Sequence, residues 1–213
     1  SVLEMASAYG TLATGGVHYD TTCITEVLDR NGNSLYKYEP VGTQAVSPEV
    51  AGAVTDILEG VVSFGTGTEA QPYVNQPVAG KTGTTDLTRD LWFVGYTPYY
   101  TAAIWTGYDR QERLASGLNN PSPVLWNQVM SKVHQGLEYK KFDLPDTLKT
   151  VTYCLSSGML PGPYCSGHLA TGTFLPEDAP TGTCTYHKAP SSRPSNSNGN
   201  GGGTGGTTNN GGT

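Results

Sequence analysis

Three strand-like runs follow one another in the middle of the chain with only short connections between them. Residues 77–84 (PVAGKTGT), 91–97 (LWFVGYT) and 101–108 (TAAIWTGY) are short and bounded by turn residues, and the second and third are aromatic and β-branched. A turn at Pro98-Tyr99 joins the last two. Helical patterns stand on either side. Ser47-Pro48-Glu49 combines a hydroxyl cap, a first-turn proline and an early acid. Val50, Ala53, Val54, Ile57, Leu58, Val61 and Val62 then recur at helical spacing until 64–67 (FGTG) ends the run. Residues 122–137 form a final helix with Val124, Leu125, Gln128, Val129 and Val133 on one side. Three consecutive strands between two helices predict an antiparallel sheet covered by helices, in the α/β or α+β class.

Upstream, Leu3, Met5, Ala6, Ala8, Tyr9, Leu12 and Ala13 suit a helix that stops at Gly15-Gly16. Residues 24–29 and 35–38 flank Asn31-Gly32, which predicts a β-hairpin because Asn-Gly supplies the positive φ of a tight turn. The periodic signals are confined to residues 1–150, so the packed core belongs there. Residues 151–190 hold Cys154, Cys165 and Cys184 among prolines and glycines without helical periodicity, which predicts a loop-rich appendage. Residues 191–213 are almost wholly Ser, Asn, Gly and Thr and have no apolar side chain to bury, so disorder is expected.

Composition excludes several classes. Charged residues are 14% of the 213, too few for a coiled coil, and no apolar run is long enough to span a membrane. A net charge of −6 argues against nucleic-acid binding. The first residues, Ser1-Val2-Leu3-Glu4-Met5, have neither the basic start nor the apolar stretch of a signal peptide, so the chain reads as a piece of something longer.

The chemistry points to Lys81-Thr82-Gly83. The triplet alone is unspecific, but it ends a buried strand, and Gly80 and Gly83 flank it so that a ligand can approach the backbone closely. A fixed cation and a hydroxyl donor suit a peptide that ends in a free carboxylate.

With Gly80-Lys81-Thr82-Gly83-Thr84-Thr85 followed by Trp92-Phe93-x-Gly95-Tyr96-Thr97-Pro98 and Trp105-x-Gly107-Tyr108-Asp109, the chain resembles the penicillin-binding transpeptidases, and most of all their bifunctional class A members. The resemblance covers roughly residues 1–190. It implies a serine that attacks the D-Ala–D-Ala amide of a peptidoglycan stem peptide and passes the acyl group to a neighbouring stem, with β-lactams trapping that serine. It also implies a parent that carries a glycosyltransferase and sits on the extracytoplasmic face of the bacterial membrane, anchored by an N-terminal segment missing from this chain. Carried onto these residues, it implies that Lys81, Thr82, Gly83, Thr84 and Thr85 bind substrate. The Thr84 backbone N–H would join the serine's own N–H in stabilising the oxyanion, and the exposed edge would receive substrate as an added strand. No cofactor or metal is implied.

Of the family's three motifs, S-x-x-K, S-x-N and K-T-G, only the third is present in usable form. Ser34-Leu35-Tyr36-Lys37 fits S-x-x-K as a string, but it falls in a hairpin strand where residues three apart point to opposite faces. The chain is therefore expected to be the C-terminal half of a transpeptidase domain, needing the rest of that domain for its nucleophile and inactive alone. A serine β-lactamase or D,D-carboxypeptidase fragment and a wall-binding module are the alternative readings.

In an exported cell-wall enzyme, the cysteines predict at least one disulfide among Cys154, Cys165 and Cys184, with Cys23 left over or pairing further off. Cys165-x-x-His168 and Cys184-x-x-His187 are also two units that could ligate zinc, a reading that ranks behind disulfides because the resemblance implies no metal. His18 and His134 are expected on the surface or in the core, Trp92, Trp105 and Trp126 among the core aromatics, and Asp86, Arg89 and Asp90 in a solvated turn.

Overall fold

The computed structural model describes residues 1–115 and 117–189. The expected disordered stretch, 191–213, lies outside the described residues. At the centre is the anticipated antiparallel sheet: β5 (Ala79–Thr84), β6 (Asp90–Tyr96) and β7 (Thr101–Gly107), in the order β5-β6-β7.

Three helices enclose it. Helix α1 (Val2–Ala13) is fixed at its start by reciprocal hydrogen bonds between Ser1 and Glu4, a capping box, and it ends before Gly15 and Gly16, both at positive φ. Helix α2 (Pro48–Ser63) starts where the sequence predicts, with the Ser47 hydroxyl accepting from the Val50 N–H. Helix α3 spans Ser122–Val133, one turn shorter than the expected range.

Alternation along β6 divides the core in two. Phe93 points to one face, where it meets Val62, Ala70, Val74, Val78, Trp126 and Met130. Its ring stands edge-on to Trp126, with centroids 5.4 Å apart. Tyr96 points to the other face and packs with Leu58, Ala79, Tyr9, Leu12 and Phe142. Thus α3 covers one face and α1 the other. Helix α2 runs beside β5 and sends Val62 into the first layer and Leu58 into the second. A buried hydrogen bond of 2.8 Å between the Thr55 and Tyr96 hydroxyls ties α2 to the sheet.

The packed side of α3 differs from the expected one. Val124, Leu125, Val129 and Val133 are all exposed, while Ser122, Pro123, Trp126, Asn127 and Met130 are buried. Hydrogen bonds decide this side. Trp126 donates its indole N–H to the Ala102 carbonyl, the Ser122 hydroxyl donates to the Leu91 carbonyl, and Asn127 bridges Glu69 and Tyr73.

Before α2 stand two small antiparallel pairs: β1 (Val17–Tyr19) with β4 (Gly42–Gln44), and β2 (Glu26–Leu28) with β3 (Ser34–Lys37). The predicted hairpin turn includes Gly32 at φ 86°, and the Asp29 carboxylate accepts from the backbone of Asn31 and Asn33. After α3 the chain returns under α2 and enters a last hairpin, β8 (Lys149–Cys154) and β9 (Leu169–Phe174), which is held to α2 by the Thr173 N–H on the Asp56 carboxylate. No helix among the described residues is long and apolar enough to cross a membrane.

Candidate functional site

Lys81, Thr82, Gly83 and Thr84 lie on β5, an outer strand whose only strand partner among the described residues is β6. Lys81 is exposed, and its ammonium donates to the Thr82 carbonyl at 3.0 Å and to the Thr82 hydroxyl at 3.3 Å. Thr85, just past the strand end, donates its N–H to the Asp90 carbonyl and so faces β6. Backbone groups alternate in direction along an antiparallel strand, so the N–H of Thr84 and the carbonyl of Thr82 face the open side. The position of the Lys81 ammonium on that carbonyl agrees. The open edge therefore presents a cation, a hydroxyl, an outward carbonyl and an outward N–H within four residues.

Gly80 serves a different purpose from the expected one. It is buried and stands opposite Gly95. A Cβ at Gly80 would lie 2.6 Å from the Phe93 ring and 2.8 Å from the Val94 carbonyl oxygen, and one at Gly95 would lie 2.7 Å from the same ring. The pair makes room for Phe93 in the core, not for a ligand. Gly83 is less confined, with its nearest neighbour the Trp92 Cβ at 3.2 Å.

Two further residues belong to this edge. The Thr66 hydroxyl, in the loop after α2, is 2.6 Å from the Thr82 hydroxyl and fixes its orientation. Asp90 organises the strand end. It accepts from the Thr85 hydroxyl at 2.7 Å and the Trp105 indole at 2.9 Å, while its own N–H donates back to Thr85. Those two donors, Thr85 first, hold the Asp90 carboxyl below its usual range. Asp90 is thus a bound structural anion and not part of a solvated turn, and the Thr85 hydroxyl is engaged with it. Leu87 and Thr88 follow at φ 59° and 51°, the only non-glycine residues at positive φ among those described. The Thr88 carbonyl accepts from Leu114, pinning the loop between β5 and β6.

The string Ser34 to Lys37 is strand β3, paired with β2 and exposed throughout, so Ser34 and Lys37 do not converge. His134 is buried in the core. It receives the Thr97 hydroxyl on Nε2 at 2.7 Å and donates from Nδ1 to the Met130 carbonyl. Trp126 is fully buried, whereas Trp92 and Trp105 form a half-buried cross-strand pair. On α2, burial and the nearby Asp56 push the Glu59 carboxyl up to about 7, where it lines a cleft with Tyr153 and Phe174 of the last hairpin.

The cysteines depart from the expected pairing. All four are free. Cys154, Cys165 and Cys184 are buried together, and their sulfurs lie 3.5, 3.4 and 3.7 Å from Nδ1 of His187. A disulfide between any two would leave the third thiol without its partner.

Residues 1–118 match the family described as the penicillin binding protein transpeptidase domain, and residues 144–189 match the penicillin-binding protein 1A C-terminal domain. Penicillin-binding protein 1A of Clostridium perfringens is 33% identical over 206 residues, which cover 92% of this chain and 25% of that protein. Penicillin-binding protein 4 of Bacillus subtilis is 40% identical over 108 residues, 50% of this chain and 17% of that one. Among solved structures, penicillin-binding protein 1A of Haemophilus influenzae superposes with a TM-score of 0.78 at 20% identity, covering 86% of this chain and 33% of that one. The D,D-transpeptidase domain of a peptidoglycan glycosyltransferase from Eggerthella lenta gives 0.54 at 35% identity, covering 65% and 33%. The chain spans about a quarter of the length of the Clostridium perfringens relative.

Proposed function

The chain belongs to the penicillin-binding protein transpeptidase family, and on that footing we propose that β5 is the substrate-binding edge of a serine-type D,D-transpeptidase that cross-links peptidoglycan. The nucleophilic serine comes from outside these 213 residues, since the chain has no S-x-x-K at a helix start. The parent is a bifunctional enzyme of the bacterial cell surface, membrane-anchored and carrying a glycosyltransferase as well.

The observation that carries this reading is the outward presentation of Lys81, Thr82 and Thr84 along a strand with no second strand partner among the described residues. The stem peptide's terminal carboxylate meets the Lys81 ammonium and the Thr82 hydroxyl, displacing the lysine from its own backbone. The peptide continues along the edge as an added strand. That extension brings the scissile carbonyl to the Thr84 N–H, one of two donors to the oxyanion; the serine's own N–H is the other. A β-lactam carries an equivalent carboxylate and takes the same place.

The test is the second-order rate of penicillin acylation in an enzyme containing this segment and its serine-bearing half. Loss of one charge-assisted hydrogen bond in a closed site costs about 1.5–3 kcal/mol, or roughly 10- to 150-fold in rate. Lys81→Ala and Thr82→Val should each fall in that range, with Lys81→Ala the slower because its charge also acts on the oxyanion. Thr82→Ser keeps the hydroxyl and should be nearly silent. Glycosyltransferase activity should be unchanged in all three. Acylation of Lys81→Ala within twofold of wild type would remove β5 from the substrate site.

A further inference from the structure

We infer that Cys154, Cys165, Cys184 and His187 form a structural zinc site that holds the C-terminal unit of the chain together. Their four donor atoms all lie within 4.8 Å of one another. A tetrahedron with bonds of ~2.3 Å to sulfur and ~2.05 Å to nitrogen has sulfur-to-nitrogen edges of about 3.5 Å. The three observed distances, 3.5, 3.4 and 3.7 Å, are those edges. Three thiolates and one imidazole are a soft donor set that selects zinc over magnesium or calcium. With all four positions supplied by the protein, none is left for water, so the site is structural rather than catalytic.

The surroundings fit a metal site. The Gly162 N–H donates to the Cys165 sulfur at 3.2 Å, which steadies a thiolate. Nε2 of His187 is 3.4 Å from the Ser156 hydroxyl, which accepts its proton and frees Nδ1 as the ligand. Each cysteine is set by backbone bonds. Cys154 ends β8 and accepts from Gly158, Cys165 donates to Gly162 and accepts from His168, and Cys184 donates to Leu160. His168, of the Cys165-x-x-His168 unit, does not converge on the cluster; its ring stacks on that of His187 with centroids 4.6 Å apart.

The need for a staple is visible in the packing. Between residues 144 and 189 the only fully buried apolar residues are the three cysteines themselves. They form a cluster separate from both core layers. A unit of this size without an apolar core depends on cross-links or a metal. Three buried sulfurs around one imidazole form the second arrangement, because any disulfide would use two and strand the third.

The test is zinc content and thiol reactivity of the full chain purified without chelator. Roughly one zinc per chain is expected, with only Cys23 open to alkylation until the metal is removed. Exchange with cobalt should give thiolate-to-metal charge-transfer bands and the visible spectrum of a tetrahedral ion. Cys184→Ser should lose the metal, whereas His187→Cys, which restores a four-donor set, and His168→Ala should keep it. Because Cys184→Ser can also unfold the unit, the cobalt spectrum of the unmodified chain is the independent readout. A metal-free folded chain with all thiols reactive, a mass showing one disulfide, or zinc retained in Cys184→Ser would each overturn the proposal.

Discussion

The hydroxyl of Thr82 has two neighbours in this structure, the Lys81 ammonium and the Thr66 hydroxyl, and only the first could be read from the sequence. A motif discloses residues adjacent in sequence. It does not disclose a hydroxyl 16 positions away that a helix end brings within 2.6 Å. Asp90 was expected in a solvated turn for the same reason, since its carboxylate is occupied by an indole 15 residues on. Glu59 carries a consequence for pH. Burial raises its folded-state pKa from 4.5 to about 7, so the folded protein favours the protonated form. The associated stability is fully present below the unfolded value and is lost as pH rises towards the folded one. Thermal unfolding should therefore show declining stability between about pH 4.5 and 7. Glu59→Gln should match the wild type at the acid end and melt at a higher temperature at the alkaline end. Equal melting temperatures for the two proteins at both ends would refute the assignment.

Among the elements, the three central strands and the start of α2 were legible because short-range signals specified them. The packed side of α3 was not. Its valines and leucine satisfy helical spacing, yet the helix turns Trp126 and Met130 inward because those side chains, with Ser122 and Asn127, meet partners on β6, β7 and the loop after α2. Periodicity identifies a stripe but not what waits opposite it. Gly80 was misjudged in a similar way. Gly80 and Gly95 accommodate one phenyl ring, so Gly80→Ala should cost about 1–3 kcal/mol by overpacking. Phe93→Leu in the same chain should recover part of that loss. Denaturant midpoints of the single and double variants would measure the coupling. Additive losses would mean that Phe93 is not what excludes a side chain at Gly80.

At the scale of the whole molecule, the sheet, its helices and the last hairpin form a scaffold that, on the proposed function, presents one half of a reaction centre. A fluorescent penicillin should therefore leave no covalent label on this chain alone under denaturing electrophoresis. A label that mapped to Ser34 would mean that β3 rearranges into a helix. The cysteine cluster shows where sequence reading stops: spacing offered the three cysteines and both C-x-x-H units, but only the folded loops reveal which histidine the sulfurs meet. The open edge of β5 has one more consequence. A strand edge open to a substrate backbone, as proposed, is equally open to a strand from another molecule, and exposed edges are where aggregation begins. Lys81 stands on that edge with its charge in solvent. Any foreign strand that settles there without an anion must bury or displace an ammonium group, so Lys81 also guards the protein's solubility.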